Sequence, residues 1–78
     1  MRYRKKTTIE AVQWFSQGHC PVWAQGKVLE GPTSFTIETR EGILTGVPGD
    51  WIARGVEGEV YPIGKHIFAK TYEPAGEA

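Results

Sequence analysis

The sequence has little of what usually stabilises a very small protein. Its 78 residues include one cysteine, Cys20, so an intrachain disulfide is excluded. His19 adjoins this cysteine and His66 stands alone, so no cluster has the spacing of a zinc site. A domain of about this length buries only about 60% of its unfolded surface. We therefore predict one domain over residues 1–78 that gains stability by forming a homodimer.

The sequence also has no excess of basic residues and no long hydrophobic run. These two absences argue against a nucleic-acid-binding protein and a membrane protein. Nine basic residues cancel nine acidic ones, whereas nucleic-acid binding usually requires a strongly basic surface. The basic run from Arg2 to Lys6 leaves nucleic-acid binding as the weakest alternative. No apolar run approaches the roughly 20 residues of a membrane helix, and the N-terminus lacks an apolar secretion signal. We expect a cytoplasmic protein without a membrane segment, in keeping with its free thiol.

Residue patterns typical of a catalytic site are also missing from the sequence. Cys20 and His19 are the only adjacent nucleophile and base, and neighbouring side chains usually point apart. Asp50 follows a glycine in a turn, where a carboxylate more commonly accepts hydrogen bonds from backbone amides. No glycine-rich phosphate loop precedes a helix. We predict that the protein is not an enzyme and uses no metal or cofactor.

What the sequence does contain is alternation of apolar and polar residues, which is typical of strands. Strands are predicted over residues 6–14, 27–29, 34–39, 43–47, 51–54 and 59–63. Pro21 suits the first turn of a very short helix over residues 21–24, and residues 65–72 can form a terminal helix. The predicted fold is α+β: a small twisted antiparallel sheet of four to five strands, or a half-open barrel, with a short helical insert and a short C-terminal helix.

The stretch VPGDW at residues 47–51 predicts a sharp change of direction. Pro48 presets φ at the first corner of a turn, and Gly49 accepts the positive φ of a type II second corner. A further tight turn at residues 55–58 predicts a hairpin. In its expected register Arg54 lies opposite Glu59, and Trp51 lies opposite Pro62.

These motifs resemble a family of small uncharacterised phage and prophage proteins. The shared pattern has a basic start, IEAVQW at residues 9–14, a PGD-aromatic turn at 48–51, GE and YP within 58–62, and a closing TYEP at 71–74. The family is described by a PGDYG-type turn, whereas this chain has Trp51 and Ile52 at the last two positions. The resemblance implies a phage origin, with the bacterial host's cytoplasm as location, and no settled enzymatic activity.

Three tryptophans in so short a chain raise the possibility of aromatic binding residues. Trp14 and Trp51 fit core positions best, while Trp23 is the better candidate for an exposed or interfacial ring. An aromatic ring beside arginine can stack on a base while the guanidinium pairs with a phosphate. The predicted ligand-binding residues are Trp23, Trp51, Arg54, Lys65, His66 and Arg4. In the expected register Lys65 and His66 lie nearer Trp51 than Arg54, so one shared pocket requires a second subunit or strong sheet curvature.

The favoured hypothesis is a non-enzymatic phage counter-defence protein that sequesters a small anionic signalling ligand such as a cyclic nucleotide. A symmetric dimer would offer paired basic residues to two phosphates. Two alternatives stay open: a protein-binding inhibitor or adaptor of a host enzyme, acting through an exposed strand edge or Trp23, and a minor virion component.

Overall fold

The computed structural model describes residues 9–73, which form two antiparallel sheets of three strands each. The first sheet has the order β1-β5-β6 and the second the order β2-β3-β4. The strands are β1 (Glu10–Gln13), β2 (Val28–Glu30), β3 (Phe35–Thr39), β4 (Gly42–Gly46), β5 (Trp51–Arg54) and β6 (Val60–Ile63). A 3-10 helical turn, Val22–Ala24, precedes β2, and helix α1 (Lys65–Thr71) follows β6. No helix within the described residues is long and apolar enough to cross a membrane.

The predicted α+β character, with antiparallel strands and a short C-terminal helix, is confirmed, but the single sheet of four to five strands was wrong. Six strands are divided between two sheets because β5 pairs with β1 and not with β4, the strand before it. The connection at residues 47–50 is tied to the end of β1. The Gly49 N–H donates to the Trp14 carbonyl at 2.7 Å, and the Trp14 N–H donates to the Asp50 carbonyl at 2.8 Å. The chain therefore leaves one sheet and enters the other at this turn.

The turn itself has the predicted type II geometry. The Asp50 N–H donates to the Val47 carbonyl at 2.9 Å, and Gly49 has a φ of +99°, which glycine adopts without a steric cost. The Asp50 carboxylate accepts the backbone N–H groups of Val47 and Lys65, each at 3.0 Å. One aspartate thus joins the turn to the start of α1.

The core lies between the inner faces of the two sheets. Its buried cluster consists of Trp14, Ala24, Phe35, Ile37, Ile52 and Val60. The Trp14 and Phe35 rings meet edge to face with centroids 5.0 Å apart, an arrangement that aromatic pairs favour. The core position of Trp14 is confirmed, since its side chain is fully buried. Trp51 is only half-buried and lies outside this cluster.

Gly46 is required by the packing of Phe35. The two residues are partners in the β3–β4 pairing, and the Phe35 ring occupies the space that a Cβ atom at position 46 would take. A ring that covers a cross-strand glycine in this way recovers buried apolar area at a position without a side chain.

The hairpin of β5 and β6 is offset by one residue from the predicted register. Arg54 lies opposite Val60 and Trp51 opposite Ile63. The reason is a longer turn, closed by a hydrogen bond from the Gly55 N–H to the Glu59 carbonyl at 2.9 Å. A shift of one residue exchanges the two faces of a strand. The corrected register therefore places the apolar Val60 in the core beside β5.

The outer faces of the two sheets differ. Helix α1 packs on the first sheet, where the Phe68 ring stacks on Trp51 with centroids 3.9 Å apart and an interplanar angle of 5°. The outer face of the second sheet carries Leu29 and Ile43, whose exposed fractions are 75% and 70%. No helix packs on this face within the described part of the chain.

We predict that Gly46→Ala lowers the free energy of unfolding by about 1–3 kcal/mol, the usual cost of overpacking a core. The added methyl group would displace the Phe35 ring. Gly64→Ala is the matched control, because position 64 has a φ of −62° and open space around its Cβ position. Urea unfolding followed by tryptophan fluorescence gives both values. Equal stability of the two variants would contradict the role assigned to Gly46.

Candidate functional site

Two of the predicted ligand-binding residues, Arg54 and Trp23, lie together at one end of the first sheet. The Arg54 guanidinium carbon lies 5.1 Å from the centroid of the Trp23 ring, within the range of a cation–π contact. Arg54 also forms a salt bridge with Glu10, its partner in the β1–β5 pairing. Trp23 is half-buried against the core and not fully exposed, and its prediction as an interfacial ring stays a prediction. The one guanidinium at this place is thus already paired with a carboxylate.

Trp51, Lys65 and His66 form a second group on the other side of the same sheet. Trp51 stacks on Phe68 of α1, and Lys65 is the first residue of that helix. The aliphatic part of Lys65 runs beside Gly49, while His66 is exposed to solvent. Because side chains alternate along a strand, Trp51 and Arg54 project from opposite faces of β5.

The five predicted residues that the structure describes therefore do not line one pocket within a single chain. They divide into the Arg54–Trp23 contact and the group beside α1, with the first sheet between them. Arg4 lies outside the described residues.

A groove with a volume of about 850 Å³ lies between the end of the β3–β4 hairpin and strand β6. None of the five predicted ligand-binding residues that the structure describes lines it. Its charged residues are Glu38, Glu41, Glu57, Glu59, Lys27 and Arg40. Four carboxylates against two cations give this groove an excess of negative charge, which disfavours an anionic ligand. Burial raises the pKa of Tyr61 in its wall, with Tyr72 and Glu59 adding to the effect, so this phenol contributes no charge near neutral pH.

Glu30, which the sequence analysis did not single out, organises the loop before the 3-10 turn. Its Oε1 accepts the indole N–H of the buried Trp14 at 2.7 Å and the backbone N–H of Gly18 at 2.8 Å. The Trp14 hydrogen bond is the main reason why the pKa of Glu30 is lowered; burial opposes this effect, and the loop amides of residues 18–20 add to it. The ionised carboxylate thus fixes the loop that leads to Trp23.

His19 and Cys20 make separate contacts. The Nδ1 atom of His19 accepts the Phe15 N–H at 3.1 Å, and the Cys20 Sγ donates to the Pro21 carbonyl at 3.5 Å. Burial raises the pKa of the Cys20 thiol, and the Glu30 carboxylate raises it further. An activated nucleophile requires the opposite shift. Within the described part of the chain, no three His, Cys, Asp or Glu side chains gather as a metal site would require.

The outer face of the second sheet, here named the uncovered face, carries several exposed apolar side chains. It consists of Leu29, Thr36, Glu38, Ile43 and Thr45, and Val47 continues the alternation beyond β4. Leu29, Ile43 and Val47 are each at least half exposed. The alternation of side chains along the predicted strands already indicates which of these residues share one face of a strand. What the sequence did not reveal is that β2 joins this sheet and that α1 packs on the other one.

Comparisons with protein-family models, with curated proteins and with solved structures gave no match. The resemblance to phage proteins therefore stays a prediction, and the candidate sites rest on the geometry of this chain.

We predict that Glu30→Gln lowers the stability at neutral pH by about 1–2 kcal/mol, because a charge-assisted hydrogen bond to Trp14 becomes a neutral one. The lowered pKa means that folding favours the ionised carboxylate. Its contribution is present above the ordinary pKa of glutamate and is lost as the pH falls through the lowered folded value.

Unfolding curves measured at several pH values give the check. The difference between the wild type and Glu30→Gln should be largest near neutral pH and should shrink in acid. Glu38→Gln serves as the control, since Glu38 is exposed and accepts no such hydrogen bond. A difference that does not change with pH would exclude the proposed role of the Glu30 charge.

Proposed function

We propose that this chain is a non-enzymatic binding protein that contacts a partner protein through the uncovered face of its second sheet. The observation that carries the proposal is that Leu29, Ile43 and Val47 are exposed on one sheet face without a covering element in the described chain. The sequence analysis left such an inhibitor or adaptor open as an alternative. The partner would be a protein of the bacterial host or of the phage particle, if the predicted phage origin holds.

The distribution of apolar side chains supports this choice of face. Among residues 9–73, eight hydrophobic residues are buried and eight large hydrophobic residues are exposed. Phe15, Val22, Val56 and Ile67 lie scattered over loops, turns and α1. Single exposed side chains of this kind are ordinary, whereas several exposed apolar side chains on one sheet face favour an interaction surface. Thr36, Glu38 and Thr45 lie between the three apolar residues on this face and make it a mixed surface.

Sequestration of a small anionic ligand, such as a cyclic nucleotide, is the second candidate. The Arg54–Trp23 contact favours it, because a guanidinium over an aromatic ring matches a stacked base and its phosphate. Binding there would have to displace Glu10 from Arg54, since the salt bridge satisfies part of the guanidinium. The anionic character of the groove weighs against the same ligand at that position. We therefore rank this counter-defence function below protein binding.

We predict that Leu29→Glu weakens capture of the partner at least about tenfold, since a charge in the apolar centre of an interface is left desolvated and unpaired. Val22→Glu is the matched control, because Val22 is 81% exposed but lies on the 3-10 turn, away from this face. Immobilised protein is incubated with bacterial lysate and with purified phage particles, and bound proteins are quantified by mass spectrometry.

Both variants should keep the stability of the wild type within about 0.5 kcal/mol, because they replace exposed side chains. Equal capture by Leu29→Glu and the wild type would refute the assignment of the uncovered face. Loss of capture in both variants would also refute it, since the binding surface would then include the 3-10 turn.

If the second candidate is right, calorimetry with cyclic di- and trinucleotides should show binding by the wild type. Arg54→Ala should weaken that binding at least about tenfold, as expected for loss of a charge-assisted contact to phosphate. Arg40→Ala is the matched control, because Arg40 lies in the β3–β4 turn, away from Trp23. No heat with the wild type at high concentration would end this candidate.

A further inference from the structure

We propose that two copies of this chain pair through their β4 strands, so that two second sheets join into one continuous six-stranded antiparallel sheet. The inference concerns the edge of the sheet, whereas the proposed function concerns its face. It does not depend on that function, and each can fail without the other.

The four sheet edges of the described chain are not equally open to strand addition. Natural edge strands are commonly protected by charge, by proline or by shortness. β1 carries Glu10, β6 carries Pro62, and β2 has three residues and ends with Glu30. β4 has the sequence GILTG, five residues without charge or proline. By its residue composition β4 is therefore the edge strand with the least protection against a further strand.

Two apolar side chains of β4 are exposed, and an added strand would partly bury them. Ile43 is 70% exposed on the outer face, and Leu44 is 38% exposed on the inner one. A strand paired at this edge covers part of both side chains. β4 pairs only with β3 in the described chain, so one edge of β4 has no partner strand. A strand added at this edge also satisfies the backbone N–H and C=O groups along it. A single strand addition thus protects apolar groups on both faces of the sheet.

A second copy of the same strand fits this edge by register. Antiparallel pairing centred on Leu44 matches all five residues of one β4 with all five of the other. Gly42 then lies opposite Gly46 and Ile43 opposite Thr45, so no like charges meet across the pair.

The overall charge agrees with self-association. The sequence has a formal net charge of zero at pH 7, so two copies do not repel each other over long distances. Two-fold pairing of identical strands is also self-complementary, which is the geometry of closed dimers.

Disulfide trapping tests the register. Single cysteines are introduced at positions 43 and 44 in a Cys20→Ser background. With Leu44 on the two-fold axis, Leu44→Cys should form a crosslinked dimer under mild oxidation, since paired Cα atoms about 4.5–5.5 Å apart fall within disulfide range. Ile43→Cys should crosslink poorly, because diagonal positions two residues apart lie about 8 Å from each other. The double variant Ile43→Cys/Thr45→Cys should crosslink again.

Sedimentation tests the same edge without cysteines. The wild type should sediment as a dimer at micromolar concentration, and Ile43→Lys should weaken the dimer at least tenfold. Ile67→Lys is the matched control, because Ile67 is 63% exposed on α1 and should leave the dimer intact. A monomeric wild type would overturn the inference. A dimer that persists in Ile43→Lys without crosslinking through Leu44→Cys would also overturn it, because another surface would then hold the two copies.

The outcomes separate this inference from the proposed function. Leu29 lies on β2, the opposite edge strand of the sheet, and not on β4. Loss of partner capture in Leu29→Glu with an intact Leu44→Cys crosslink supports both. An intact crosslink with normal capture by Leu29→Glu supports the dimer and rejects the uncovered face as the binding surface.

Discussion

The arrangement of the two sheets depends on the short turn at residues 47–50. Its backbone exchanges hydrogen bonds with Trp14 at the end of β1, and its aspartate accepts the first N–H of α1. These four residues therefore connect three parts of the chain: the end of β1, the start of α1 and the turn itself. Backbone groups buried at such a junction must find partners, because an unpaired one costs the free energy of its lost hydration. The turn satisfies these groups and at the same time directs β5 to β1.

The position of this turn explains why α1 covers only one of the two sheets. β5 and β6 continue directly into α1, whose Phe68 covers Trp51 on the first sheet. The second sheet lies before the turn in sequence and receives no helix within the described residues. Its outer face and its β4 edge stay apolar and exposed, and both proposals made for this protein concern that sheet. The core is small, with Trp14 and Phe35 as its largest members, so contact with another chain has much to contribute.

Charge in this protein serves the fold in two places, and at one of them, Arg54, sequence reasoning expected a ligand. The Arg54 guanidinium is balanced by Glu10, and the Glu30 carboxylate is held by Trp14 and by a loop amide. Each pair joins residues distant in sequence. Local sequence patterns could not predict these pairs. The partners are far apart in sequence, and the chain between them folds into other elements. The groove, with its excess of carboxylates, likewise arises only where two hairpin ends approach each other.

The sequence by itself determined the local structure. Alternation placed the strands to within a few residues over the described part of the chain, whereas the predicted start of the first strand at residues 6–8 lies outside it. Pro48-Gly49-Asp50 specified a type II turn because proline and glycine restrict φ in complementary ways. Only the tertiary structure decided which strands pair, the one-residue offset of Val60 opposite Arg54, and which sheet α1 covers. The physical reason is that alternation fixes the two faces of a strand but not its neighbour. Neighbours are chosen by contacts such as those of Trp14 with Asp50 and Glu30, between residues far apart along the chain.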